Sequence, residues 1–144
     1  MAGKPRLLVI DDDENLRKIV RHIFELAGFE VYSAENGDAG VKAAVSNPPN
    51  AILMDVTMPE KDGFDACSEL RRVGRTQAVP IIMLTAKTRD ESYQHALYKG
   101  ATAYVQKPFH NDELVALVKQ LVEEAERPQP APPPPTTKKR AAKK

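Results

Sequence analysis

Cysteine is almost missing from this chain: Cys67 stands alone among 144 residues. One thiol excludes an internal disulfide and leaves no CxxC pair for zinc or redox chemistry, so a reducing compartment, the cytoplasm, is expected. Long apolar runs are missing too, and nothing approaches the ~18 residues of a membrane span. Met1 to Pro5 lead straight into a strand-like segment, so neither a leader nor an anchor is expected. Net charge is also scarce, with 21 basic against 20 acidic residues. Taken alone, that balance excludes a bulk attraction to nucleic acid or membrane.

The balance conceals a split. All 20 acidic residues precede Arg127, so residues 1–126 hold 15 basic against 20 acidic residues, a formal −5, and six basic residues follow. Six of the 12 prolines also fall in that last stretch, at Pro128, Pro130 and Pro132 to Pro135. Such a composition cannot bury a core, and it favours an extended spacer. Residues 1–126 are therefore expected to form one domain, and 127–144 a disordered, Pro-rich and basic tail or linker. With 42% hydrophobic residues, the chain has material for a sizeable core.

Five short apolar runs read as strands: Leu7 to Ile10, Glu30 to Ser33, Ala51 to Met54, Ile81 to Leu84 and Ala103 to Val105. Helical spacing lies between them. Leu16, Ile19, Val20, Ile23, Phe24 and Ala27 form one apolar stripe, and Leu114, Leu117, Val118, Leu121, Val122 and Ala125 form another, with Asn111 or Asp112 as its expected N-cap. Weaker helices fit 37–46, 64–74 and 90–98, and Gly28 and Gly100 stand where helices should stop. Strand and helix alternating five times predict an α/β fold, a doubly wound parallel sheet with both faces covered. Ligands in such sheets sit beyond the carboxyl ends of the strands.

At those ends the first strand runs into Asp11, Asp12, Asp13 and Glu14, and the third into Asp55. Gathering Asp11, Asp12 and Asp55 on one rim sets like charges side by side, which calls for a cation or a proton. Hard oxygen donors suit Mg²⁺. Asp13 and Glu14 have the simpler explanation of offsetting the positive end of the first helix. A nucleotide or flavin site would want a glycine-rich or hydroxyl-rich loop where this acidic one stands. Lys107, followed by Pro108, ends the fifth strand and is the cation that could hold a phosphoryl group opposite the metal.

The chain from about residue 5 to 125 resembles the bacterial two-component response-regulator receiver domain. Five motifs carry the resemblance: Val9-Ile10-Asp11-Asp12-Asp13; Met54-Asp55-Val56-Thr57-Met58-Pro59 with Asp62-Gly63; Pro80 to Ala86; Gly100 to Tyr104; and Lys107-Pro108-Phe109. The resemblance implies a flavodoxin-like sheet of order 2-1-3-4-5 with five helices and a cis peptide before Pro108. It implies that Asp55 accepts a phosphoryl group. Asp12 and Asp55 would bind Mg²⁺ directly and Asp11 through water, with the backbone carbonyl of Thr57 completing the protein ligands. Lys107 and Thr85 would contact phosphoryl oxygens, and Tyr104 would be the switch aromatic. The implied partners are a sensor histidine kinase or histidine phosphotransfer protein, and an effector meeting the face of the fourth helix, fifth strand and fifth helix. Nucleic acid would touch at most the basic tail, weakly.

Thr85 and Tyr104 also have plain readings, as a strand-end threonine and a core aromatic. Cys67 reads as a small buried hydrophobe. His22, His95 and His110 have no partner at metal or triad spacing, and Arg71, Arg72 and Arg75 read as a solvated helix end. Two other functions compete with a signalling switch. An aspartyl phosphatase, an enzyme, usually carries a second Asp two positions after its nucleophile, where this chain has Thr57. A phosphorylation-independent interaction module would put its function in the tail.

Overall fold

The computed structural model describes residues 3–56, 58, 61–85 and 100–126. Five strands, β1 (Arg6–Ile10), β2 (Glu30–Ala34), β3 (Ala51–Asp55), β4 (Ile81–Thr85) and β5 (Ala103–Gln106), form one parallel sheet in the order β2-β1-β3-β4-β5. Four helices are found among the described residues: α1 (Glu14–Leu26), α2 (Gly37–Ser46), α3 (Gly63–Arg72) and α4 (Asn111–Glu126). The expected helix at 90–98 and the expected tail at 127–144 lie outside the described residues.

Alternation along the strands sorts the core into two layers, because successive side chains point to opposite sheet faces. Leu8, Ile10, Ile52, Met54, Ile81 and Met83 pack with Ala44, Phe64, Ala66, Cys67 and Leu70 of α2 and α3. Leu7, Val9, Ala51, Leu53, Ile82 and Leu84 pack with Val20 and Phe24 of α1 and with Leu114, Val118 and Val122 of α4. Both faces being covered explains why β1, β3 and β4 are apolar nearly throughout. Each fully buried aliphatic side chain contributes roughly 1.5–3 kcal/mol relative to exposure, so this double layer dominates the stability.

Helix ends follow local chemistry. Asp13 caps α1 by accepting from Asn15 and Leu16 N–H, Asn36 caps α2 by accepting from Ala39 N–H, and Asp62 caps α3 by accepting from Asp65 N–H. Gly28 takes φ +97 just beyond α1, the left-handed geometry that a residue with a Cβ adopts poorly.

Three expectations need correction. Ile19 is 53% exposed, although the helical stripe placed it with the core. A helix lying on a sheet buries about 100° of arc, and that arc centres on Val20 and Phe24. The last helix starts at Asn111 and not after an Asn111 or Asp112 cap, because Leu114 N–H already donates to His110 O at 2.9 Å. Asp112 and Glu113 sit inside its first turn, where they oppose the dipole. Arg71 is no solvated helix end. Its guanidinium is half-buried and donates to the carbonyls of Gly100 (2.8 Å), Thr76 (3.4 Å), Gln77 (3.0 Å) and Val79 (2.7 Å) and to Thr102 Oγ1 (3.1 Å). Burial holds it below the ordinary guanidinium value. Arg72 and Arg75 are exposed, as expected.

Candidate functional site

The strand register sets the site. Ile10 pairs with Met54, so Asp11 and Asp55 emerge side by side from the carboxyl ends of β1 and β3. Asp55 pairs with Leu84 and Thr85 with Gln106, which brings Lys107 to the same rim from β5. Lys107 N–H donates to Thr85 O at 2.7 Å, and the Lys107–Pro108 peptide is cis.

Asp11, Asp12 and Asp55 each present a carboxylate oxygen, and the three oxygens lie within 4.8 Å of one another. Asp11 and Asp55 are buried and Asp12 is exposed. The Lys107 ammonium bridges the first two, 3.6 Å from Asp11 Oδ2 and 3.5 Å from Asp55 Oδ1. Burial pushes the Asp11 carboxyl above the ordinary carboxylate value. The Asp13 N–H and Lys107 pull it back, and the charges of Asp12 and Asp13 add to the rise. The three carboxylates set like charges together, and three hard oxygen donors at this spacing fit a small divalent cation. Among the described residues the cluster is therefore compatible with a metal site.

The remaining expected residues fall as follows. Thr85 is buried at the carboxyl end of β4, 1% exposed. Tyr104 is half-buried against the α2/α3 layer and pairs with Met83, two residues before the end of β5 and on the same sheet face as Thr85. Thr57 lies outside the described residues, so its carbonyl has no described position. Cys67 is fully buried in α3, and burial pushes its thiol up to about 11, which leaves it protonated and inert at neutral pH. His22 and His110 are exposed, and His95 lies outside the described residues.

Gly63 opens α3 directly beneath Asp55: its N–H donates to Val56 O at 2.8 Å, and a Cβ there would stand 2.4 Å from Asp55 O. Only glycine lets the helix start that close to the strand end. Arg17 is a site neighbour that no motif reveals. Its Nη1 donates to Asp11 O at 2.6 Å. The one hint in the sequence is a cation at the start of a helix, against the dipole.

A doubly wound α/β domain with a three-carboxylate rim closed by a strand-end lysine is the class defined by this fold and site. The chain belongs to the response regulator receiver domain family, whose model matches residues 7–119. It is 38% identical over 123 residues to the DNA-binding dual master transcriptional regulator RpaA of Synechocystis, covering 85% of this chain and 51% of that protein. It is 36% identical over 122 residues to the phosphate regulon transcriptional regulatory protein PhoB of Pseudomonas aeruginosa, covering 85% of this chain and 53% of that one. The chain thus spans about half the length of these curated relatives. Its fold matches the chemotaxis protein CheY4 of Vibrio cholerae with a TM-score of 0.79 at 30% identity, covering 83% of this chain and 99% of that one. No helix among the described residues is long and apolar enough to cross a membrane.

Proposed function

We propose that Asp55 accepts a phosphoryl group from a phosphohistidine on a sensor histidine kinase or a histidine phosphotransfer protein, and that the modified domain changes its protein contacts. The observation that carries this reading is Asp55 Oδ1 held 3.5 Å from Lys107 Nζ, within a carboxylate cluster that fits a small divalent cation. An Asp55 oxygen attacks phosphorus, the P–N bond to the imidazole breaks, and the departing nitrogen takes a proton from solvent. Phosphoryl transfer asks for in-line positioning and neutralised equatorial oxygens more than for covalent help. Mg²⁺ bound by Asp12 and Asp55, by Asp11 through water and by the Thr57 carbonyl would supply part of that neutralisation. Lys107 would supply the rest, exchanging its Asp55 contact for a phosphoryl oxygen while its Asp11 contact keeps the ammonium on the rim.

Thr85 would read the event by donating its hydroxyl to a phosphoryl oxygen, and Tyr104, on the same sheet face, would follow. An effector would meet the side of the domain that carries β5 and α4, together with residues 90–98. The domain turns over no external substrate and is a switch; its self-catalysed chemistry is uptake and slow loss of the group. With −5 on residues 1–126, its partners are proteins, and the basic residues from Lys138 to Lys144 are the one stretch suited to weak contact with an acidic partner or nucleic acid. The domain boundary at 126 rests on composition, the Pro-rich and basic stretch beginning at Arg127. The cytoplasm suits the single buried thiol.

Incubating the full chain with a small phosphodonor and Mg²⁺, read by intact mass, tests the assignment. Wild type should gain one phosphoryl group and Asp55→Asn none, since an amide is no nucleophile. Equal labelling of Asp55→Asn, or an unlabelled wild type, would overturn it.

A further inference from the structure

Asp11 and Asp12 sit on the short turn between β1 and α1, and the fixings of that turn are unequal. Asp11 N–H donates to Ala34 O at 3.1 Å, and Asp11 Oδ1 accepts from Asp13 N–H at 2.9 Å. The Asp11 carbonyl, which belongs to the peptide that carries Asp12, is held by the Arg17 guanidinium at 2.6 Å. Arg17 N–H in turn donates to Asp13 O at 3.0 Å, so one residue ties both ends of the turn to α1. Asp12 is itself exposed, and without that tie its peptide could rotate to relieve the crowding of carboxylates. Arg17 is half-buried in the fourth position of α1, near a helix end that disfavours cations. Its place is explained by the carbonyl it holds.

We infer that Arg17 is a positioning residue for the metal centre, fixing the Asp11–Asp12 peptide so that the Asp12 carboxylate is already directed at the cation. This rests on the phosphoacceptor reading above. The inference has a definite sign because two effects of removing Arg17 oppose each other. Losing a positive charge near the site would tighten Mg²⁺ binding, weakly, since solvent and salt screen it. Losing a charged hydrogen bond to a part-buried carbonyl would loosen it, and such bonds are the stronger class.

The test is a titration of the full chain with MgCl₂ alone, followed by amide shifts of the β1–α1 turn, on wild type, Arg17→Met and Arg17→Lys. The Kd of Arg17→Met should rise about fivefold, the size of a modest charged hydrogen bond offset by the lost repulsion. Arg17→Lys, which can still place one donor on the single carbonyl, should return to within about twofold of wild type. Phosphoryl uptake by Arg17→Met should recover at saturating Mg²⁺, which separates affinity from rate. Should Arg17→Met fail to fold, Arg17→Gln, too short to reach the carbonyl, carries the same expectation. An Arg17→Met or Arg17→Gln Kd equal to or below that of wild type overturns the inference and leaves the phosphoacceptor reading standing. A wild type that binds no Mg²⁺ overturns both.

Discussion

Asp11→Asn should make the Mg²⁺-free protein more stable while weakening its response to Mg²⁺. Asp11 is 2% exposed, and its oxygen lies within 4.8 Å of those of Asp12 and Asp55. At an effective dielectric of 20, each such repulsion is about 3.5 kcal/mol and the opposing Lys107 contact, at 3.6 Å, about 4.6 kcal/mol. Asp12 is exposed, so its share must be cut to about half for screening. The pairwise charges then nearly cancel, to within about 1 kcal/mol, and burial, the largest cause of the raised carboxyl, decides the sign. Asparagine keeps an oxygen to accept the Asp13 N–H and removes the charge. The expected gain is about 1–2 kcal/mol, or about 3–6 °C in Tm for a domain of this size.

The pH dependence follows in sign. Asp11 has a raised carboxyl in the folded state, so the folded protein holds that proton more tightly than the unfolded chain. Its contribution is present below the ordinary value of 3.8 and is lost as pH rises through the raised value. The advantage of Asp11→Asn should therefore grow as pH rises from that ordinary value and level off above the raised one. Binding stabilises by RT ln(1 + [Mg²⁺]/Kd), about 1.4 kcal/mol at ten times Kd, so wild type should overtake the variant at high Mg²⁺. Thermal unfolding across pH, with and without MgCl₂, measures all of this. A lower Tm for Asp11→Asn without Mg²⁺ would mean that the Lys107 contact outweighs the crowding, and the reasoning would be wrong.

Arg71→Met should cost about 2–4 kcal/mol in urea unfolding, because it strips the guanidinium from three part-buried carbonyls, from the exposed Gln77 carbonyl and from the Thr102 hydroxyl; a loss under about 1 kcal/mol would make those bonds incidental. Thr85→Ala should leave Asp55 labelling within about threefold of wild type while removing most of the gain in partner affinity, since a modification shifts an equilibrium only through contacts that differ between states. Full strengthening of partner binding in phosphorylated Thr85→Ala would exclude the hydroxyl as the reader.

Legibility of the sequence tracked how local each signal was. β1, β3 and β4 could be read because burial on both faces leaves an unbroken apolar run, and Gly37–Ser46 matched its expected span. Asp11, Asp12, Asp55 and Lys107 could be placed because parallel topology sends every strand end to one rim. Arg71 could not, since its partners at Gly100 and Thr102 lie 29 and 31 residues away and no spacing marks them. Gly100 takes φ +103, and a Cβ there would stand 2.8 Å from Arg71 Cγ, whereas the helix expected to stop at Gly100 lies outside the described residues. Arg17 was hidden for a different reason: its partner, six residues away, is a backbone carbonyl, which no side-chain pattern marks.

The precision of the rim is inherited from the core. A slip of β3 by one residue against β1 would exchange Leu53 and Met54 between the two packed layers, turning each toward a cavity of the wrong shape. It would also move Asp55 by one strand residue, about 3.3 Å, relative to Asp11, enough to break a contact held at 3.5 Å to Lys107. The layers that fix register carry no charge and include none of the rim's carboxylates or Lys107. A core substitution such as Leu53→Ala therefore acts on the site only so far as it loosens register, whereas Arg17 and Gly63 act on it through the backbone beside the carboxylates.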